Sequence, residues 1–242
     1  MGANRDEYRT RPTDPARFWE DAPQVLAGRD RLAGGTWLGV TTGGRVAAVT
    51  NYRAVRRQVI DPLSRGRLVA GFLQDQQMAP GAFRGILNRD GERYDGFNLL
   101  YGTGTELHYF TNRGGSSGPV APGIHALSNH LLDTRWPKAA AVRSRLDALM
   151  WEPEIDPEEL FSALSDPAPF ADGLLPDTGV GPERERLLSP IFIDNVEYGT
   201  RSTTVLLIDR AGCVTFVERT FDLAPAPPVT QRYSFRIEAP PA

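Results

Sequence analysis

The stretch Met1-Gly2-Ala3-Asn4-Arg5-Asp6-Glu7-Tyr8 places four consecutive polar or charged side chains before any apolar run. Such a tetrad, Asn4 to Glu7, seldom opens a fold, because a strand or a helix needs an apolar face to bury. Two interpretations follow from the residues themselves. The tetrad is either a polar tail or the exit of a strand whose beginning is missing from this sequence.

Length and composition restrict the class of protein. The 242 residues suffice for one large α/β or β-rich domain, or for two small ones. The net charge of −3 comes from 27 basic and 30 acidic residues without a long run of one sign, so nothing favours binding to nucleic acid. No apolar stretch is long enough to predict a transmembrane segment. The oligomeric state stays open.

The chain contains a single cysteine, Cys213, which excludes an internal disulfide framework and a clustered-thiolate metal site. We therefore expect a reducing, cytoplasmic location, no metal and no resident cofactor. The histidines His108, His125 and His130 lack metal-ligand spacing, and we interpret them as structural.

Turn residues recur along the chain, with 24 Gly and 20 Pro, and this favours many short strands over long helices. Three hairpins are predicted, over residues 36–50, 97–111 and 203–219, and a last strand over 232–237. Helices are predicted over 65–74, 138–150 and 157–164, the last with Asp156 as its N-cap. We expect one α+β domain, residues 1–242, with mostly antiparallel sheets, helices on their faces, and surface loops at Pro167 to Pro182 and Leu223 to Pro228.

Polar side chains near predicted strand ends are the candidate site. Asn51 and Asn129 each follow a predicted strand, and Arg201 precedes another. Amides and guanidinium groups can hold an oxyanion or a substrate carboxylate, and Asp6 could orient an amine. Taken singly, each residue is better explained as a turn or surface ion-pair residue. Aromatic residues could also line an apolar cleft, although packing in the core is their commoner use: Phe18, Trp19, Trp37, Tyr52, Trp136 and Trp151.

A series of short segments starts with the tetrad, Tyr8 and Arg11-Pro12, and runs to about residue 220. The other segments are Gly34-Gly35-Thr36-Trp37-Leu38-Gly39, Thr50-Asn51-Tyr52, Ser64-Arg65-Gly66, Tyr94-Asp95-Gly96-Phe97-Asn98-Leu99, Leu127-Ser128-Asn129, Trp136-Pro137-Lys138 and Tyr198-Gly199-Thr200-Arg201-Ser202. In this order they resemble the motifs of the NRDE family, also called the transport and Golgi organisation protein 2 family. Each is weak alone, and together they are specific.

The resemblance implies a fold like that of the N-terminal-nucleophile (Ntn) hydrolases, a four-layer αββα sandwich of two mostly antiparallel sheets. The relatives with the clearest chemistry are amidohydrolases whose N-terminal cysteine attacks an amide carbonyl while its own α-amine moves the proton. By this analogy Asp6 would hold the amine, Asn51 and Asn129 would contact an oxyanion or substrate, and Arg201 would give electrostatic support. The substrate-binding candidates are Asn4, Arg5, Trp37 and Tyr52.

The chain departs from the family pattern at its start, where Gly2 stands in place of the expected Met-Cys and apolar strand. We therefore expect that Met1 is a misassigned start, that the tetrad is the outlet of a missing first strand, and that the nucleophile is missing with it. A true short form is the alternative. Three functions stay open: an amidohydrolase acting on a small N-acyl or peptide-like substrate, a non-catalytic protein that handles haem or a lipid-like ligand, and an inactive remnant. Haem ligation would need His108, His125, His130 or a cysteine upstream.

Overall fold

The computed structural model describes residues 1–54, 59–152, 154–221 and 227–238. Its strands are β1 (Gly2–Tyr8), β2 (Thr13–Phe18), β3 (Val25–Asp30), β4 (Leu38–Thr41), β5 (Arg45–Asn51), β6 (Phe97–Thr103), β7 (Leu107–Thr111), β8 (Gly118–Pro119), β9 (Tyr198–Ile208), β10 (Cys213–Thr220) and β11 (Val229–Arg236). Its helices are α1 (Gly66–Gln74), α2 (Pro80–Asp90), α3 (Pro137–Leu149), α4 (Pro157–Ala163) and α5 (Pro182–Leu187).

The strands form two antiparallel sheets. One has the order β1-β9-β10-β11, and the other runs from β2 to β8 in chain order. Successive side chains along a strand point to opposite faces of the sheet, so neighbouring residues pack in different layers of the fold. In β5, for example, Ala47 packs towards α1 and α2, whereas Val46 and Ala48 pack between the sheets.

Three apolar clusters define four layers. The first joins the larger sheet to α1 and α2, the second lies between the two sheets, and the third joins β9 and β10 to α3 and α4. The expected αββα sandwich of two antiparallel sheets is therefore confirmed. A buried carboxylate also ties the sheets together, because Glu218 of β10 accepts a 2.6 Å hydrogen bond from the backbone N–H of Ala16 in β2.

Strand β1 is the edge strand of the smaller sheet and pairs only with β9 among the described residues. The register shifts between Arg5 and Asp6, where Arg201 is the extra residue of a bulge in β9. The tetrad lies inside β1, so it is part of a strand and not a polar tail. A strand forms here although its sequence is polar, because it needs only a partner strand and apolar contacts from Met1 and Ala3.

The predicted hairpins correspond to β4–β5, β6–β7 and β9–β10, and the last strand to β11. The predicted helices are α1, α3 and α4, and the Asp156 side chain accepts a hydrogen bond from the Glu158 N–H as the predicted N-cap. Strands β2, β3 and β8 and helices α2 and α5 were not predicted. Part of the predicted loop 223–228 lies outside the described residues.

Candidate functional site

A cleft of about 580 Å³ runs along the free edge of β1. Every residue from Met1 to Glu7 lines it, so both faces of the strand border the same space. Its other walls come from the end of β5, the segments 62–66 and 125–129, and the first turns of α3. Pockets of this volume accommodate molecules of drug or metabolite size.

Close backbone packing fixes one wall of the cleft. A side chain on Gly35 would overlap the backbone of Gly66, and Thr36 N–H donates to the Gly66 carbonyl at 3.2 Å. Glycine is therefore needed at this contact. The contact holds Arg65, at the start of α1, against the cleft, where its Nη1 donates to the Gly96 carbonyl at 3.1 Å.

Arg5 is the most unusual side chain of the cleft. Its side chain is only 10% exposed, and its closest carboxylate, Glu7, is 3.7 Å away. Glu7 also faces Arg11 at 3.6 Å, so it is shared between two guanidinium groups. The Arg5 Nη1 atom is buried and has no hydrogen-bond partner among the described residues.

Burial lowers the pKa of both Arg5 and Arg65, because each guanidinium group loses water without gaining full compensation from carboxylates. Arg11 differs, since its Nη2 lies 2.6 Å from Asp30 and this pair raises the pKa of Arg11. The cleft therefore contains two guanidinium groups that a further negative charge would stabilise.

Apolar side chains form much of the remaining wall. Trp37 lies on the cleft wall, and its backbone carbonyl accepts a 2.8 Å hydrogen bond from Val49 of β5. Four further apolar side chains line the cleft, Val142, Leu146, Leu164 and Ile191. The cleft thus combines buried cations with apolar surface that would suit an amphipathic molecule.

Asp6 and Lys138 lie on the helix-facing side of the cleft. The Asp6 carboxylate accepts a 2.7 Å hydrogen bond from the Thr200 hydroxyl. Lys138, in the first turn of α3, donates through Nζ to the Leu188 carbonyl at 3.0 Å. Burial lowers the pKa of Lys138 to about 8.

The amide candidates occupy different settings. Asn4 is fully engaged, since Nδ2 donates to the Leu164 and Ile191 carbonyls and Oδ1 accepts from the Thr203 hydroxyl. Asn51 is the last residue of β5 and is exposed to the cleft.

Asn129 lies in a loop and does not follow a strand, contrary to the prediction. Its Oδ1 accepts a 3.1 Å hydrogen bond from Arg53 and its Nδ2 donates to the Asn51 carbonyl at 3.2 Å. These two contacts hold the loop against the end of β5 and keep Asn129 on the cleft wall.

Two predicted site residues do not line the cleft. Arg201 lies within β9, not before a strand, and its Nη1 donates to the carbonyls of Tyr8, Arg9 and Arg11 at 3.0 to 3.2 Å. It therefore braces the turn that follows β1. The Tyr52 hydroxyl makes a 2.8 Å hydrogen bond with His130 Nε2. The six residues that the cleft brings together are Asn4, Arg5, Asp6, Trp37, Asn51 and Asn129.

Of the three histidines, only His125 lines the cleft. Its Nδ1 lies 2.7 Å from Asp133 and its Nε2 lies 2.8 Å from the Ala121 carbonyl. The hydrogen bond to Asp133 raises the pKa of His125. Both ring nitrogens are therefore engaged within the protein.

Arg65 and Lys138 were missed as site residues, although both lie in segments that carry the family resemblance, Ser64-Arg65-Gly66 and Trp136-Pro137-Lys138. Charge and spacing alone do not distinguish them from surface residues. Only the packing of the segments against β1 brings them to the cleft. In the described ranges, no group of three acidic, histidine or cysteine side chains could hold a metal ion, and no helix is long and apolar enough to cross a membrane.

The fold and the cleft together define a class: a two-sheet α+β sandwich with an open cleft along a polar edge strand. The model of the family Transport and Golgi organisation 2 matches residues 1–223. A Mus musculus protein, Transport and Golgi organization 2 homolog, is 33% identical over 236 residues, covering 90% of this chain and 85% of its own. A Bos taurus homolog of the same description is 35% identical with the same coverage. The chain therefore belongs to the Transport and Golgi organisation 2 family.

Proposed function

We propose that the cleft along β1 binds a small molecule with an anionic head and an apolar body, and that the protein is a ligand-handling member of its family. The observation that carries this proposal is Arg5, a guanidinium group nine-tenths buried with one nitrogen unpaired. A buried cation without full compensation costs free energy, so its presence on a cleft is best explained by a ligand that completes the pair.

The neighbouring groups support an anion rather than a neutral ligand. Arg65 is a second, half-buried guanidinium group on the same cleft, while Glu7 and Asp30 are already in contact with arginines. A carboxylate or phosphate can accept two parallel hydrogen bonds from arginine. The apolar walls would then cover the remainder of the molecule.

A displacement titration tests the proposal. The fluorescent probe 8-anilinonaphthalene-1-sulfonate carries an anionic sulfonate on an apolar body. Dodecanoate and dodecanol are added as competitors for its site; they share the same apolar tail and differ only in the head group, a carboxylate or a hydroxyl. We expect dodecanoate to displace the probe at least about tenfold more strongly than dodecanol, because only the carboxylate can pair with Arg5.

The variant Arg5→Met should remove this preference, whereas Arg89→Met should keep it. Arg89 lies on α2 with its side chain 70% exposed, outside the cleft. Equal displacement by both competitors, or an unchanged preference in Arg5→Met, would refute the proposed anion site.

Haem is one anionic ligand that the family resemblance suggests, and it would be a cargo. The cleft offers cations for its carboxylates, but both ring nitrogens of His125 are engaged within the protein. Haem would therefore bind through its carboxylates without a histidine ligand. A hemin titration followed by absorbance should show binding that depends on Arg5 and a spectrum that is unchanged in His125→Ala.

Hydrolysis of a small amide is the second candidate. The specific support comes from the three residues to which the family analogy gives catalytic roles, Asp6, Asn51 and Asn129. All three line the same cleft as the beginning of β1. Cys213 does not supply the thiol, because it lies on β10 outside the cleft.

Assays on a panel of N-acyl amides test this candidate with the 242-residue chain and with a form that carries an N-terminal cysteine ahead of β1. Turnover only in the second form, lost on changing that cysteine to alanine, is the expected result. Turnover in neither form would contradict it. The cytoplasmic location and the single domain remain predictions.

A further inference from the structure

Lys138 is the only lysine in the chain, and the other 26 basic residues are arginines. The other Lys or Arg side chains that line the cleft, Arg5, Arg11, Arg65 and Arg143, follow this preference, and the one other amine beside the cleft is the α-amine of Met1, whose pKa is lowered by burial to about 6. Arginine binds carboxylates and phosphates better than lysine does, but it does not lose its proton in proteins. A single lysine in a cleft of arginines therefore points to a task that needs an amine.

The surroundings of Lys138 disfavour its charged form. No carboxylate of the described residues lies within 4 Å of its Nζ, whose one protein partner is the Leu188 carbonyl at 3.0 Å. Lys138 is also in the first turn of α3, a helix without a side-chain N-cap, where the helix dipole opposes a positive charge.

Three charged groups on neighbouring elements act on the amine: Asp6 of β1, Arg53 after β5 and Glu185 of α5. Asp6 is hydrogen-bonded to Thr200. Glu185 is paired with Arg53 at 2.9 Å and also accepts hydrogen bonds from Thr178. The effects of these three charges on the pKa of Lys138 are smaller than the effect of desolvation, which lowers this pKa to about 8.

The consequence is a usable amount of neutral amine near physiological pH. At pH 7.5 an amine with the ordinary pKa of 10.5 is about 0.1% neutral, whereas one with a pKa of about 8 is about 25% neutral. Buried lysines with lowered pKa values act as bases or form Schiff bases with carbonyl compounds. Lys138 is one of the residues that line the cleft, so a ligand bound there lies beside this side chain.

We propose that Lys138 is a carbonyl-reactive amine and that the cleft takes ligands carrying an aldehyde or ketone as well as an anionic group. The nitrogen lone pair attacks the carbonyl carbon. The two protons of the neutral amine leave with the carbonyl oxygen as water, and a C=N bond forms without any change in oxidation state. The inference rests on the proposed function in one respect, since the same cleft must admit the ligand.

Reductive trapping tests the inference. The protein is incubated with 4-carboxybenzaldehyde, which carries both an aldehyde and a carboxylate, and with cyanoborohydride, which reduces the C=N bond to a stable amine. Peptide mapping by mass spectrometry distinguishes Lys138 from the only other amine, the chain terminus. We expect trapping at Lys138 at pH 7.5 at least about tenfold faster than for N-acetyl-lysine, because more of the amine is neutral.

The pH profile and two variants separate a functional amine from a structural one. Trapping should reach half its maximum near pH 8. Asp6→Asn should move the profile to lower pH, because the Asp6 charge favours the protonated amine. Lys138→Arg keeps the positive charge but should form no adduct at position 138.

The alcohol 4-carboxybenzyl alcohol separates this inference from the proposed function, because it has the carboxylate without the aldehyde. If it displaces the fluorescent probe while the aldehyde gives no adduct faster than N-acetyl-lysine, the carbonyl inference is wrong and the anion site stands. If neither compound binds and no adduct forms, both are wrong.

Discussion

Asn4 and Asn51 are chemically identical side chains on one cleft, yet their surroundings assign them different tasks. Asn4 makes three hydrogen bonds that hold β1 in place: one to the segment after α4, one to the segment before β9, and one to β9 itself. Asn51 is exposed at the end of β5. The resemblance placed Asn4 at the site, and its position after a predicted strand had already made Asn51 a candidate. Only the contacts distinguish the residue that builds the cleft from the one that faces it.

This difference predicts opposite outcomes for the two alanine variants. Asn4→Ala should lower the free energy of unfolding by about 2 to 3 kcal/mol, since three buried or half-buried hydrogen bonds are lost. Asn51→Ala should stay within about 0.5 kcal/mol of the parent protein. Chemical denaturation measures both, and an Asn4→Ala protein as stable as the parent would show that β1 is held by other contacts.

The proposed anionic ligand would explain why Arg5 is buried with an unpaired nitrogen. Removing a buried, poorly compensated charge often leaves stability unchanged or raises it. We therefore expect Arg5→Met to unfold at the same or higher temperature than the parent protein while it loses affinity for anions. A large drop in the melting temperature would instead indicate that Arg5 is needed for folding.

At the scale of elements, hairpins were predictable because alternating apolar residues and turn glycines lie close together in the sequence. Strand β2 was not predictable from the sequence, because it contains Pro15 and because its pairing register with β3 shifts after Asp14. Helix α2 contains Gly81 and Gly85 and buries only Phe83 and Leu87. Such elements form because packing against the neighbouring layer stabilises them, and the local sequence pattern does not predict this packing.

The contact between β2 and β10 gives a prediction about pH. Burial raises the pKa of Glu218 above its ordinary value. A carboxyl group with a raised folded-state pKa favours folding below its unfolded pKa, and this contribution is lost as pH rises through the folded pKa. Glu218→Gln keeps an acceptor for the Ala16 N–H and has no charge. It should therefore stabilise the protein at pH 7.5 and have little effect near pH 4.

Denaturation at the two pH values measures this effect. Glu218→Ala is the matched control, because it removes the acceptor as well as the charge and should destabilise the protein at both values. Equal stability of Glu218→Gln and the parent protein at pH 7.5 would show that the ionised carboxylate is well accommodated between the sheets.

At the scale of the whole molecule, the four-layer arrangement followed from the family resemblance, while the cleft required the three-dimensional structure. The residues that meet there come from positions 1 to 7, 51, 65, 129 and 138, far apart in the chain. The tetrad proves to be the polar edge of the smaller sheet, and its charges are retained because they face a cleft rather than a core.

The most direct test of the anion site is a crystal structure of the protein with dodecanoate. We predict a carboxylate oxygen within hydrogen-bond distance of the Arg5 guanidinium group, about 2.8 Å, and the tail against Trp37 or the apolar residues of α3. A carboxylate that lies at the mouth of the cleft in water, away from the Arg5 guanidinium group, would contradict the proposed anion site.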